Sequence, residues 1–135
     1  MKEPWFNTDL LPKDIEKILY RSNKKGSFFI RKPSKETKLE DGSTHKYTIE
    51  CFVGKNTHIP LVKRSIYQTK NENKFWISGE IFSSLIEIVY YFKKKPIYNE
   101  QTLTEPPEMP KQSTLSSALI NDVFILFKYF LVVSL

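Results

Sequence analysis

The stretch Gly26-Ser27-Phe28-Phe29-Ile30-Arg31 reads as a β-strand with apolar side chains on both faces, because its apolar run is continuous rather than alternating and follows a glycine. A strand of this kind is expected in the middle of a sheet. It ends on a cation, although Phe28, Phe29 and Ile30 are among the residue types most often fully buried. An unpaired buried charge is expensive, and breaking a buried ion pair on one side costs roughly 3–5 kcal/mol. Arg31 therefore needs either an internal carboxylate or an external anion. Lys32, Ser34 and Lys35 follow in a polar loop that offers hydroxyl and backbone N–H groups, which favours the external anion. A planar guanidinium suits phosphate because it gives two parallel charge-assisted hydrogen bonds, and neighbouring lysines add point charge.

Upstream, Leu11, Ile15, Ile18 and Leu19 recur at helical spacing with Pro12 near the start, which predicts a short amphipathic helix. Downstream, Lys32 to Thr44 reads as a loop carrying the turn dipeptide Asp41-Gly42, and Lys46 to Phe52 alternates as a second strand. A further strand is expected within Ile59 to Gln68, where the lack of clean alternation leaves the register open. Phe75-Trp76-Ile77 supplies another short strand after the polar turn Lys70-Asn71-Glu72-Asn73. Phe82, Leu85, Ile86, Val89 and Phe92 fall at helical spacing, and this second helix closes on Lys93-Lys94-Lys95 before Pro96, cations beside the negative end of its dipole. The order helix, three or four strands, helix predicts an α+β domain, a central antiparallel sheet flanked by two helices.

The 135 residues allow one compact domain. The formal charge of +6 favours an anionic partner without choosing among nucleic acid, membrane and phosphoprotein. Cys51 is the only cysteine and His45 and His58 the only histidines, so neither a disulfide framework nor a zinc site is supported. Cys51 reads as a small core side chain rather than a nucleophile. With no nucleophile, base and orienter set and no glycine-rich phosphate loop, neither an enzyme nor a cofactor is expected. The opening Met1-Lys2-Glu3-Pro4-Trp5 is not a secretory signal, so a cytoplasmic location is expected.

Trp5-Phe6 and the strand Gly26 to Arg31, followed in order by Tyr47-Thr48-Ile49, Phe75-Trp76-Ile77, the segment Phe82 to Phe92, and Pro96-Ile97, resemble the motif series of Src homology 2 (SH2) domains. The resemblance covers about residues 5–105 and ends near Leu103-Thr104, similar to the family's closing segment. Residues 1–4 are then a leader, 106–117 a linker, and 118–135 an apolar tail. Within the family, Leu19 to Lys32 is most similar to the lymphocyte adaptor group that includes B-cell linker protein.

The resemblance implies a phosphotyrosine-binding adaptor or regulator of intracellular tyrosine-kinase signalling, with tyrosine-phosphorylated proteins as partners. It makes Arg31 the arginine that grips the phosphate, places Ser34 and Lys35 in the phosphate-binding loop and Thr48 on the pocket floor, and gives Lys63 or Arg64 the basic position on the neighbouring strand. Tyr67, Trp76 and Tyr90 would border the second pocket, which reads side chains after the phosphotyrosine. Two departures remove phosphate donors: Pro12 stands where the family usually has a basic residue, and Pro33 where it usually has serine. Lys13 and Ser34 each sit one residue along, but on a regular helix Lys13 points about 100 degrees away. These departures open a second reading, a phosphate-independent interaction domain of the same fold. A third, a basic single-strand nucleic-acid binder, is disfavoured because the aromatic strand motif of an RNA-recognition module is missing. Nucleic acid is therefore not an expected partner. Asn121, Asp122 and Lys128 interrupt the apolar tail, which disfavours a membrane role for it.

Overall fold

The computed structural model describes residues 3–71 and 73–109. The chain runs α1 (Pro12–Ser22), β1 (Phe28–Arg31), β2 (Thr44–Phe52), β3 (Leu61–Gln68), β4 (Phe75–Ile77), β5 (Glu80–Phe82) and α2 (Leu85–Lys94). The strands form one sheet in sequential order, each antiparallel to the next. This is the expected α+β arrangement with one strand more.

Pro12 opens α1, where its missing N–H costs little. Ile15 and Leu19, one helical turn apart, are its buried stripe. The helix stops where Asn23 turns left-handed at φ 52 and donates its N–H to the Leu19 carbonyl. At α2 the end is fixed differently. The Ser84 hydroxyl accepts from the Glu87 N–H at 3.1 Å and the Glu87 carboxylate accepts from the Ser83 N–H at 2.6 Å, a capping box offset by one residue on the return. Phe82, expected at the start of this helix, belongs instead to β5. That strand is missing from the sequence reading because only Ser78-Gly79 separates it from β4. Both residues have positive φ, 52 and 81, as a two-residue hairpin turn requires.

Alternate residues of the strands serve two different layers. Phe28, Ile30, Ile49, Cys51, Val62, Ile66 and Ile77 pack with Ile88, Val89 and Phe92 of α2. Phe29 and Phe52 pack with Ile15 and Leu19 of α1. This double cover is why β1 is apolar on both faces. It does not put β1 in the middle of the sheet, as the sequence led us to expect: β1 is the first strand in the sheet order. Its outer edge is bonded to the chain before α1, with Ile30 N–H donating to the Trp5 carbonyl at 2.7 Å and Asn7 N–H to the Ile30 carbonyl at 3.0 Å. Burial on two faces reports helices above and below, not strands on either side.

The segment after α2 closes the domain. Leu103 is buried and donates its N–H to the Phe92 carbonyl, and Thr104 donates to the Gly26 carbonyl. Gly26 has φ +87, and a Cβ there would come within 2.8 Å of Thr104, Gln101 and the Thr102 carbonyl. The glycine two residues before β1 is thus required by the later segment that crosses it. Pro107, in the stretch read as a linker, is buried, whereas the apolar tail lies outside the described residues. Among the described residues, no helix is long and apolar enough to cross a membrane.

Candidate phosphate-binding site

Arg31 is the last residue of β1 and pairs with Thr48 of β2; Phe29, two residues back on the same face, pairs with Glu50. On β3, Ser65 lies opposite Thr48 and Lys63 opposite Glu50. The period of two therefore sets Arg31, Thr48, Glu50, Lys63 and Ser65 on the face covered by α1. Helix α1 adds Glu16, whose carboxylate receives the Lys63 ammonium at 2.6 Å.

Arg31 is only 4% exposed and Glu50 is fully buried. The Arg31 Nε donates to Glu50 Oε1 at 2.5 Å, and Nη1 donates to the Lys32 carbonyl at 2.9 Å. Of the two partners the sequence left open, the loop had favoured the external anion, and in the structure the partner is internal. The cause is a register that puts a glutamate one row from the arginine. These two bonds use two of the five guanidinium N–H groups. The second Glu50 oxygen, Oε2, is buried without a hydrogen-bond partner. Burial pushes the Glu50 carboxyl above its ordinary value, and the bond from Arg31 and the charges of Arg31 and Lys63 offset this only in part.

The remaining anticipated residues divide clearly. Ser34 and Lys35 are exposed in the loop that follows β1. Thr48 is buried, with its hydroxyl 3.1 Å from His45 Nε2. Between Lys63 and Arg64 the register decides: Arg64 pairs with Ile49 on the α2 side of the sheet. Assigning Arg64 to the Arg31 pocket is corrected accordingly. Its guanidinium lies 5.8 Å from the Tyr98 ring centroid and donates to the Ile97 carbonyl at 3.4 Å, tying β3 to the segment after α2. Lys13 is exposed on α1.

Of the three residues expected around a second pocket, two are brought together. Tyr67 and Trp76 pair across β3 and β4 and stack, with centroids 4.6 Å apart and planes at 15°. Tyr90 is 64% exposed on α2, away from that helix's buried stripe of Ile88, Val89 and Phe92. It lines a cavity with Trp5, Ile86 and Lys93 instead. Cys51 is a core residue, its thiol pushed up to about 12 by burial. Glu50, Glu16 and Ser65 were missed. The signal for Glu50 was present, an acidic residue in the strand expected to follow a buried arginine, but choosing it requires the β1–β2 register.

The charges on this face alternate. Arg31 is matched by Glu50 in the interior and Lys63 by Glu16 at the partly exposed rim, while Lys32 and Lys35 stand exposed in the adjoining loop. An anion would be drawn to the rim by excess positive charge and would meet, beneath it, an arginine already engaged.

Residues 5–92 match the SH2 domain family. The chain is 36% identical over 98 residues to B-cell linker protein of Mus musculus and 35% identical over 98 residues to that of Rattus norvegicus. In each case the match covers 70% of this chain but 20% of the relative. Among solved structures, the SH2 domain of a CRK/CRKL homolog from Monosiga brevicollis superposes with a TM-score of 0.60 at 18% identity, covering 81% of this chain and 90% of that one. The family match over most of the chain, together with the matching fold, leads to one conclusion: this chain belongs to the SH2 domain family.

Proposed function

We propose that this domain binds tyrosine-phosphorylated peptides through Arg31 and acts as an adaptor or regulatory module in cytoplasmic tyrosine-kinase signalling. The observation that carries the reading is the position of Arg31 in an SH2 fold, at the end of β1 and just before the loop that exposes Ser34 and Lys35. In this reading Ser34 and Lys35 reach the phosphate from the loop, Lys63 faces it from β3, and Thr48 lines the floor. The Tyr67–Trp76 stack borders the bound peptide. The binding unit spans residues 5–105, because the bonds made by Leu103 and Thr104 belong to the same fold.

Fluorescence anisotropy with a panel of peptides, each with and without its tyrosine phosphate, tests this. Phosphorylated members should bind and their dephosphorylated forms should not. Arg31→Lys keeps the charge but loses the fork, and should weaken binding by roughly tenfold or more. Equal binding of both peptide forms would contradict the reading.

The Arg31–Glu50 pair itself favours a second reading, an interaction domain of the same fold that needs no phosphate. A guanidinium 4% exposed and bonded to a carboxylate is satisfied without a ligand. Partner capture that survives phosphatase treatment and Arg31→Lys would select it.

A further inference from the structure

Glu50 is the group on the α1 face that a phosphate ligand must reckon with. Its carboxylate holds the Arg31 Nε at 2.5 Å, so a phosphate that reaches the remaining guanidinium N–H groups brings two negative charges close to a buried third. In a medium that screens poorly, like charges in one site force one of them to take a proton. The groups facing Glu50 do not relieve this. Arg31 on β1 is shared with the incoming phosphate. Lys63 on β3 is held by Glu16 of α1 at 2.6 Å, and Glu16 adds negative charge. On β2, Thr48 and His45 are bonded to each other. Oε2 is buried with no partner and is the oxygen that can accept a proton while Oε1 keeps its bond from Arg31. Movement of the carboxylate into water is opposed by its complete burial beneath α1 and between β1 and β3.

We propose that Glu50 couples phosphate capture at Arg31 to proton uptake. The domain in its free state holds Glu50 as a carboxylate paired with Arg31. On binding, a proton passes from the solvent to Glu50 Oε2, the resulting acid keeps its carbonyl oxygen on Arg31 Nε, and the phosphate takes N–H donors of Nη1 and Nη2. One proton enters and one negative charge is removed. Phosphopeptide affinity in this domain therefore rises as pH falls, beyond any change owed to the phosphate itself. The inference rests on the reading of Arg31 as the phosphate ligand.

Calorimetry with a tyrosine-phosphorylated peptide, repeated at about pH 7.5 in buffers of different ionisation enthalpy, counts the protons exchanged when the phosphate is almost wholly dianionic. The unaltered protein should take up about one proton per complex. Glu50→Gln keeps the oxygen acceptor for Arg31 and removes the charge. It should take up none and bind roughly tenfold or more tighter, and this advantage should fade as pH is lowered. The phosphate also titrates, but it is common to both measurements, so the difference between the two proteins belongs to Glu50.

Equal affinities with parallel pH profiles would overturn the coupling and leave phosphate binding standing, with Glu50 as a positioning residue only. If neither protein binds phosphorylated peptide at any pH, both the coupling and the reading of Arg31 fail. Should Glu50→Gln not fold, the proton count on the unaltered protein decides: a count near zero overturns the coupling.

Discussion

The two faces of the sheet are made by alternate residues of the same strands, yet they hold opposite chemistry. The α2 side carries Ile30, Ile49, Cys51, Val62 and Ile66, a continuous apolar layer in which the cation that intrudes, Arg64, reaches out to Tyr98 and the Ile97 carbonyl. The α1 side carries Phe52 at one end, then the row Phe29, Glu50 and Lys63, then the row Arg31, Thr48 and Ser65. One face supplies stability at little risk; the other accepts the cost of buried charge. A buried ion pair is weak evidence for stability, since well-packed apolar replacements are often as good or better. What such a pair does supply is a cation held in a fixed place, with donors to spare, at the mouth of a basic loop.

The sharpest way to break this contrast is to remove one member of the charged pair. Arg31→Ala leaves Glu50 buried without its counter-ion and should cost about 3–5 kcal/mol in denaturant unfolding. Arg31→Met with Glu50→Leu should cost little or even stabilise, at the expense of phosphate binding. On the apolar side Ile66→Ala, at a fully buried position, should cost about 2–5 kcal/mol by the same measurement, with phosphopeptide affinity per folded molecule unchanged.

A smaller effect separates the faces by pH. Burial raises the Glu50 carboxyl above its ordinary value. The folded state therefore holds its proton at pH values where the unfolded chain has released it. Stability contributed by this group is present below the unfolded value and declines as pH rises through the folded one. Chemical denaturation at a series of pH values should show that decline in the unaltered protein and a flatter profile in Glu50→Gln. At the rim the consequences are slight. Lys63→Ala breaks a solvent-accessible pair with Glu16 and should change stability by less than about 1 kcal/mol, which thermal melts would register as a small shift.

Much of this molecule is legible in its sequence, and the unread parts share a cause. Both helices, four of the five strands and the turn at Asp41-Gly42 follow from local periodicity and turn chemistry. In that turn the Asp41 carboxylate accepts from both the N–H and the hydroxyl of Ser43. The demand that Arg31 find an anion is equally local, because it needs only the burial expected of its neighbours. The identity of that anion is not local. Glu50 is 19 positions away, and only the pairing of Phe29 with Glu50 brings it to the arginine.

Pairing also explains why Lys63 and Arg64 could not be told apart along the chain, since a shift of one residue exchanges faces. Tyr90 lies off the α2 stripe of Ile88, Val89 and Phe92. Helical spacing shows which residues form a stripe, but not which side of the sheet the helix will cover. The location of β1 at the sheet's edge was hidden because its outer neighbour is a short irregular segment around Trp5 and Phe6.

In the proposed function the Arg31 guanidinium, paired with Glu50 in the free domain, is the group that receives a phosphate. Nitrogen-detected NMR of the Arg31 side chain during titration with a tyrosine-phosphorylated peptide reads that atom group directly. The Arg31 Nε and Nη resonances should move and saturate with the phosphorylated peptide and stay in place with its dephosphorylated form. Arg31 signals unmoved while the backbone amides report a bound peptide would contradict it.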